Sequence, residues 1–245
     1  MIKRTILLLI VLASLTPSET AWSGNDHLAP PPEPVFLSTP KTLFMEQEPP
    51  GTEEYFETLL AILMDGFSAS SQVCYVVAPS FTPEYAWSAE CGEDGECFLL
   101  VHRMAENFWY RKDPEMTRQR IAISNLLCHN LKKLFEEATA RIRHPVRELA
   151  IMDGTGYFFI YGAAGGNLRV GYTHSPDPDS LMDRLTVICE KSMATPVGAS
   201  DSEPELLAEI GKVLEEIRKQ PTIPQSRYMK TIFWEILRQL KTSSR

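Results

Sequence analysis

The chain has 245 residues, of which 44% are hydrophobic and 23% charged, and its net charge at neutral pH is −8. This is enough apolar chain to bury a core. The acidic balance works against nucleic-acid binding, which needs a basic footprint for phosphate.

Residues 1–23 read as a secretory signal peptide. Lys3 and Arg4 form a basic start, Ile6 to Leu15 an apolar run of ten, and Ala21-Trp22-Ser23 a small-residue cleavage site. The run is too short to span a bilayer, which takes about 20 apolar residues, and no later segment is long enough. Export to a periplasmic or extracellular compartment is the expectation. Removing residues 1–23 leaves 22 basic and 31 acidic side chains, a net charge of −9.

Residues 24–50 carry seven prolines. Proline fixes φ and removes a backbone donor, so this segment reads as an extended linker or an arm on the domain. Two units follow: an α+β domain over 51–198, and a C-terminal helical pair over 199–245 packed on it.

A helix is expected from Thr52 to about Ala69, with Tyr55, Phe56, Leu59, Leu60, Leu63 and Phe67 at helical spacing. Gln72 to Ala78 is β-branched and aromatic and reads as a strand, with Cys97 to Met104 as its antiparallel neighbour. Phe81 to Glu96 between them reads as a loop. Asn107 to Tyr110 could extend the second strand or form a short third. Thr117 to Ile123 fits either a strand or the first turns of a helix. Ser124 is a good N-cap for a helix that carries Leu127, Leu131, Leu134, Phe135 and Ala138 on one face.

Tyr157 to Tyr161 and Leu168 to Thr173 read as two more strands around a glycine-rich turn. Ser180 with Asp183, and Ser202 with Glu205, mark two helix starts. A last helix is expected over about Arg227 to Lys241. The order of elements lacks the alternation of repeated parallel crossovers. It predicts an α+β fold: a mixed, mostly antiparallel sheet with helices on one face and two further C-terminal helices.

The chemistry in the sequence is sparse. Cys91 and Cys97 enclose Gly-Glu-Asp-Gly-Glu, a spacing that suits a small disulfide loop contributing roughly 2 kcal/mol by chain entropy. Five intervening residues are too many for the usual zinc pair, so no metal is expected there. Cys128 and Cys189 fall on the inner faces of helices, as a second bridge or as two buried thiols, and Cys74 falls on a strand.

The glycines near 154 and 165 are followed by strand-like residues and read as turns, not phosphate loops. His174, Asp177, Asp179 and Asp183 read as a capped helix start. Pairs such as Glu84 with Glu90, or His102 with Glu106, are weak acid–base candidates in a chain with 32 acidic residues. No catalytic motif and no cofactor site is visible.

The aromatics say more. Phe81, Tyr85 and Trp87 lie in the predicted loop beside Pro79 and Pro83, and Trp109 follows the next strand. Exposed, they would form a protein-binding patch, since aromatics give large contact area at low entropy cost. The sequence therefore predicts a non-enzymatic binding or inhibitory module with a protein partner, with Phe81, Tyr85, Trp87 and Trp109 as binding residues. The alternatives are an envelope hydrolase with a site assembled from distant residues, or a structural envelope component.

Overall fold

The computed structural model describes residues 26–29, 52–68, 71, 73–92, 94–111, 114–142, 153–162, 168–197 and 202–221. The predicted signal peptide, most of the proline-rich segment and the helix expected over 227–241 lie outside the described residues.

Six strands build one sheet: β1 (Val73–Pro79), β2 (Tyr85–Cys91), β3 (Cys97–Met104), β4 (Met116–Ile123), β5 (Thr155–Gly162) and β6 (Leu168–His174). Their order is β4-β3-β2-β1-β5-β6, and every neighbouring pair is antiparallel. Among the described residues four helices accompany it: α1 (Thr52–Leu63), α2 (Asn125–Thr139), α3 (Leu181–Met193) and α4 (Ser202–Lys219). The fold is α+β, as the order of elements predicts.

The central strand explains the layering. All seven residues of β1 are buried. Successive side chains of a strand point to opposite faces, so an unbroken apolar run needs cover on both. Val73, Tyr75 and Val77 pack with α2, α3 and α4 through Leu131, Phe135, Leu185, Ile188, Ile210 and Val213. Cys74, Val76 and Ala78 face the other way, toward Tyr55, Leu59, Leu60 and Leu63 of α1 and toward Phe158 and Tyr172. Helices thus cover both faces, where the sequence suggested one. Helical periodicity tells which stripe of α1 is apolar but not which side of the sheet it meets.

A second correction concerns residues 81–96. The expected loop contains β2, which pairs with both β1 and β3. The predicted neighbour of β1, β3, is therefore one strand further out, between β2 and β4. The reason is composition. Tyr-Ala-Trp-Ser-Ala-Glu-Cys has small or polar residues at four of its seven positions and prolines shortly before it. Its period of two is real but carried by Ala86, Ser88 and Trp87 rather than by branched side chains. The α1 helix also ends at Leu63, short of Ala69, because the chain turns through Gly66 at φ 88°. Asn107 to Tyr110 forms a turn rather than a strand.

The helix starts are as read. Ser124 Oγ accepts from the Leu127 amide at 3.0 Å, and Ser180 Oγ accepts from the Asp183 amide at 3.1 Å. The Asp183 carboxylate reaches back to the Asp179 amide at 3.0 Å, so this acidic turn is a cap.

The start of the proline-rich segment is docked. Ala29 exchanges backbone hydrogen bonds with Tyr172 of β6, at 2.7 and 2.6 Å. Leu28 is buried above Gly171, where any side chain would come within 2.8 Å of the Leu28 Cβ. The Gln220 side chain, just past α4, donates to the Asp26 carbonyl.

Candidate binding surface

The β1–β2 connection, Ser80 to Glu84, and the turn after β3, residues 105–111, meet at one end of the sheet. Asn107 joins them. Its side-chain amide donates to the carbonyls of Pro79 at 3.1 Å and Thr82 at 2.8 Å, and its Oδ1 accepts from the Trp109 amide at 3.0 Å. Proline at 79 and 83 leaves this connection short of donors of its own, so the carbonyls are free to receive the amide. On its other side, Ser80 exchanges hydrogen bonds with Gly154 at the start of β5, where Gly154 adopts φ 139°.

Beneath the two connections lies a buried carboxylate. Glu84 accepts from the Tyr55 hydroxyl at 2.7 Å and from the Phe108 amide at 2.9 Å. Burial lifts its carboxyl above the usual carboxylate range, and these two donors oppose the lift. The Tyr55 phenol is pushed up by burial and by its hydrogen bond to Glu84. The effect is a polar clamp that ties α1, the β1–β2 connection and the 105–111 turn into one rigid piece.

The four predicted binding aromatics separate on this frame. Phe81 is 67% exposed. Tyr85 is half-buried: its hydroxyl donates to Glu190 of α3 and the Arg103 guanidinium lies over its ring at 4.8 Å. Trp109 is half-buried, edge-on to Tyr55 with ring centres 5.0 Å apart. Trp87 is 0% exposed, between Tyr75 and Phe135 with ring centres at 5.6 and 5.8 Å. Trp87 therefore belongs to the core and cannot touch a partner of the folded domain. It turned inward because β2 is a strand, and position 87 falls on the face that α2 covers.

Sequence reasoning also missed a residue. Tyr110 is 63% exposed, at the tip of the turn that Asn107 holds against the Phe81 connection. The triplet Phe108-Trp109-Tyr110 held the signal, but only the turn geometry decides that Phe108 is buried, Trp109 half-buried and Tyr110 outside. A shallow groove of about 350 Å³, lined by Thr82, Pro83, Glu84, Tyr85, Arg103 and Met104, runs beside these connections.

The candidate acid–base groups serve as structural contacts. Glu90 accepts from Ser88 Oγ at 2.6 Å and from the Ser68 amide at 2.9 Å. Glu106 is exposed and paired with Arg111 at 2.9 Å. His102 is buried against Phe67, its Nδ1 2.7 Å from the Leu63 carbonyl, and its Nε2 has no hydrogen-bond partner. Burial lowers the His102 pKa, and burial alone lowers that of His174.

A pH dependence follows. Both imidazoles bind protons less readily in the folded state than in the unfolded chain. Stability is thus complete above the ordinary histidine value of 6.5 and declines as pH falls through it. Each histidine can contribute at most about 1.4 kcal/mol per pH unit. Urea unfolding from about pH 7.5 to about pH 5.5 should show a falling midpoint, and His102→Gln should flatten the decline. Glu84 acts in the opposite sense, because its raised carboxyl favours the fold below 4.5 and loses that advantage as it ionises. A midpoint that stays level across the histidine range would refute the assignment.

The cysteines complete the geometry at the opposite end of the hairpin. Cys91 and Cys97 are bonded as predicted, face to face in the β2–β3 ladder around a turn in which Gly95 has φ 81°. Cys74, Cys128 and Cys189 are buried free thiols, and burial pushes all three thiols up. Among the described residues, no helix is long and apolar enough to cross a membrane.

No protein-family model, curated protein or solved structure matches this chain.

Proposed function

We propose that this chain is an exported, non-enzymatic binding or inhibitory module that recognises another envelope or secreted protein, with Phe81 and Tyr110 as its anchors. The observation that carries the reading is the pairing of two large exposed aromatics with a rigid, hydrogen-bonded frame beneath them. Exposed aromatics cost a free protein solubility, and presenting them rigidly lowers the entropy lost on binding. The half-buried Trp109, next to Tyr110 in the turn, supplies part of the rim, while the half-buried Tyr85 packs on the other face of the sheet toward α3.

The Cys91–Cys97 bridge is compatible with an oxidising compartment and supports the export reading. The engagement of Glu84, Glu90 and His102 in separate structural contacts favours binding over hydrolysis.

The test is capture from envelope extracts by the purified chain, compared with Phe81→Ala, Tyr110→Ala and the double variant. Both positions are exposed, so the variants should unfold at the parent temperature. Loss of a binding anchor costs about 2 kcal/mol or more, close to a 30-fold weaker complex. The double variant should lose a partner that the parent retains. A double variant that keeps every partner would remove this surface from the reading.

A further inference from the structure

The sulfur atoms of Cys91, Cys97 and Cys128 all lie within 4.8 Å of one another. The fold brings them together in two steps. Cys91 and Cys97 stand opposite each other where β2 turns into β3. Cys97 pairs on its other side with Ile123, the last residue of β4, and Ser124 then caps α2. Cys128 is the fourth residue of that helix, so the first helical turn carries its thiol back to the bridge. Its Sγ lies 3.3 Å from Cys91 Sγ. A bridged sulfur has no proton, so the Cys128 thiol is the donor of this contact.

We propose that the three sulfurs form a thiol–disulfide exchange centre, in which the bridge moves between Cys91–Cys97 and Cys91–Cys128. The Cys128 thiol first gives up its proton to solvent. Its sulfur then attacks Cys91 Sγ; the Cys128–Cys91 bond forms as the Cys91–Cys97 bond breaks. Cys97 leaves with the bonding electron pair and takes up a proton from solvent. Nothing is oxidised or reduced overall, so the step needs no other reagent.

Cys91 is the sulfur common to both bridges, and its residue is exposed while Cys97 and Cys128 are buried. Exposure leaves Cys91 room to turn the bridge into line with the incoming sulfur. It also lets a small thiol such as glutathione reach Cys91 first, with Cys128 then resolving the mixed disulfide. Lys132, one turn further along α2, favours the Cys128 thiolate, while burial opposes it more strongly. The centre is therefore restrained rather than freely reactive. The two states differ mechanically. One closes the hairpin on itself; the other ties the sheet to α2 and releases the hairpin.

The experiment uses the whole chain in a glutathione redox buffer, quenched with acid, alkylated and mapped by non-reducing peptide mass spectrometry. The expected result is a Cys91–Cys128 peptide beside the Cys91–Cys97 peptide, with Cys97 becoming alkylated in step with the new bridge. Cys128→Ser should abolish the Cys91–Cys128 peptide, leaving any alkylated Cys97 matched by a Cys91–glutathione adduct. Cys97→Ser, oxidised with glutathione disulfide, should convert to the Cys91–Cys128 form. The proposal is overturned if the parent shows Cys91–Cys97 alone, or if Cys97→Ser stops as a Cys91–glutathione adduct with Cys128 still free. It is equally overturned if the new bridges include Cys74 or Cys189, since exchange would then run through unfolding. The parent measurement stands by itself should a variant fail to fold.

Discussion

Trp87→Ala is expected to destabilise the domain by about 3–5 kcal/mol. The residue is fully buried between Tyr75, Phe135 and the strand neighbours of β2, and its removal leaves a cavity that flanking β-structure cannot collapse to fill. Domains of this kind have only about 5–15 kcal/mol of stability in all, so much of the population would unfold near physiological temperature. Trp87→Phe should be far milder, for a specific reason. The indole Nε1 has no hydrogen-bond partner, so phenylalanine loses no bond and removes an unsatisfied donor. Thermal and urea unfolding of the two variants checks this. If Trp87→Ala melts within a degree or two of the parent, residue 87 does not sit where β2 places it. The same comparison decides how a lost partner should be read: a Trp87→Ala chain that captures nothing has lost its fold, not its contact residue.

The second large effect is at Glu84. Glu84→Ala removes the acceptor for both the Tyr55 hydroxyl and the Phe108 amide, and each stranded buried donor costs about 1–3 kcal/mol. A total loss of about 2–5 kcal/mol is expected. Glu84→Gln keeps an acceptor oxygen and the side-chain volume, and should retain most of the stability. The local signature is more telling than the global one. Hydrogen exchange of the Phe108 amide should quicken in Glu84→Ala, because its acceptor is gone. Partner capture should weaken as well, although Glu84 is buried and touches no partner, since the clamp holds the turn that carries Tyr110. Unchanged exchange at Phe108 together with unchanged stability would mean that the turn is held by Asn107 alone.

How much of this could be read beforehand varies with the kind of signal. Strands β1, β5 and β6 announce themselves by branched and aromatic runs, and α2 and α3 by apolar stripes with a serine cap at the correct distance. The hairpin disulfide follows from spacing, because six residues of separation and two glycines leave few other conformations. What stayed hidden depends on long-range register. Strand β2 is written in alanine, serine and one tryptophan, so its identity comes from the partners on both sides. The fate of Phe81, Trp87 and Tyr110 follows from that register, and single-residue composition treats all three alike. The closeness of Cys128 to Cys91 needs both the β3–β4 pairing and the first turn of α2, a combination no local window contains.

The Ala29–Tyr172 pairing has a consequence for crowded solutions. A sheet of six strands ends in two outer strands, and bare outer strands invite the strands of neighbouring molecules to line up and polymerise. On β4 that hazard is met by exposed Arg118 and Arg120 and by the Val197 amide, which occupies the Ala122 carbonyl. On β6 it is met by the chain's own early residues, with Ala29 taking the Tyr172 amide and carbonyl and Leu28 seated over Gly171. Trimming past Ala29 would uncover those groups and also take Leu28 out of the core, so a shortened chain would lose solubility and melting temperature together.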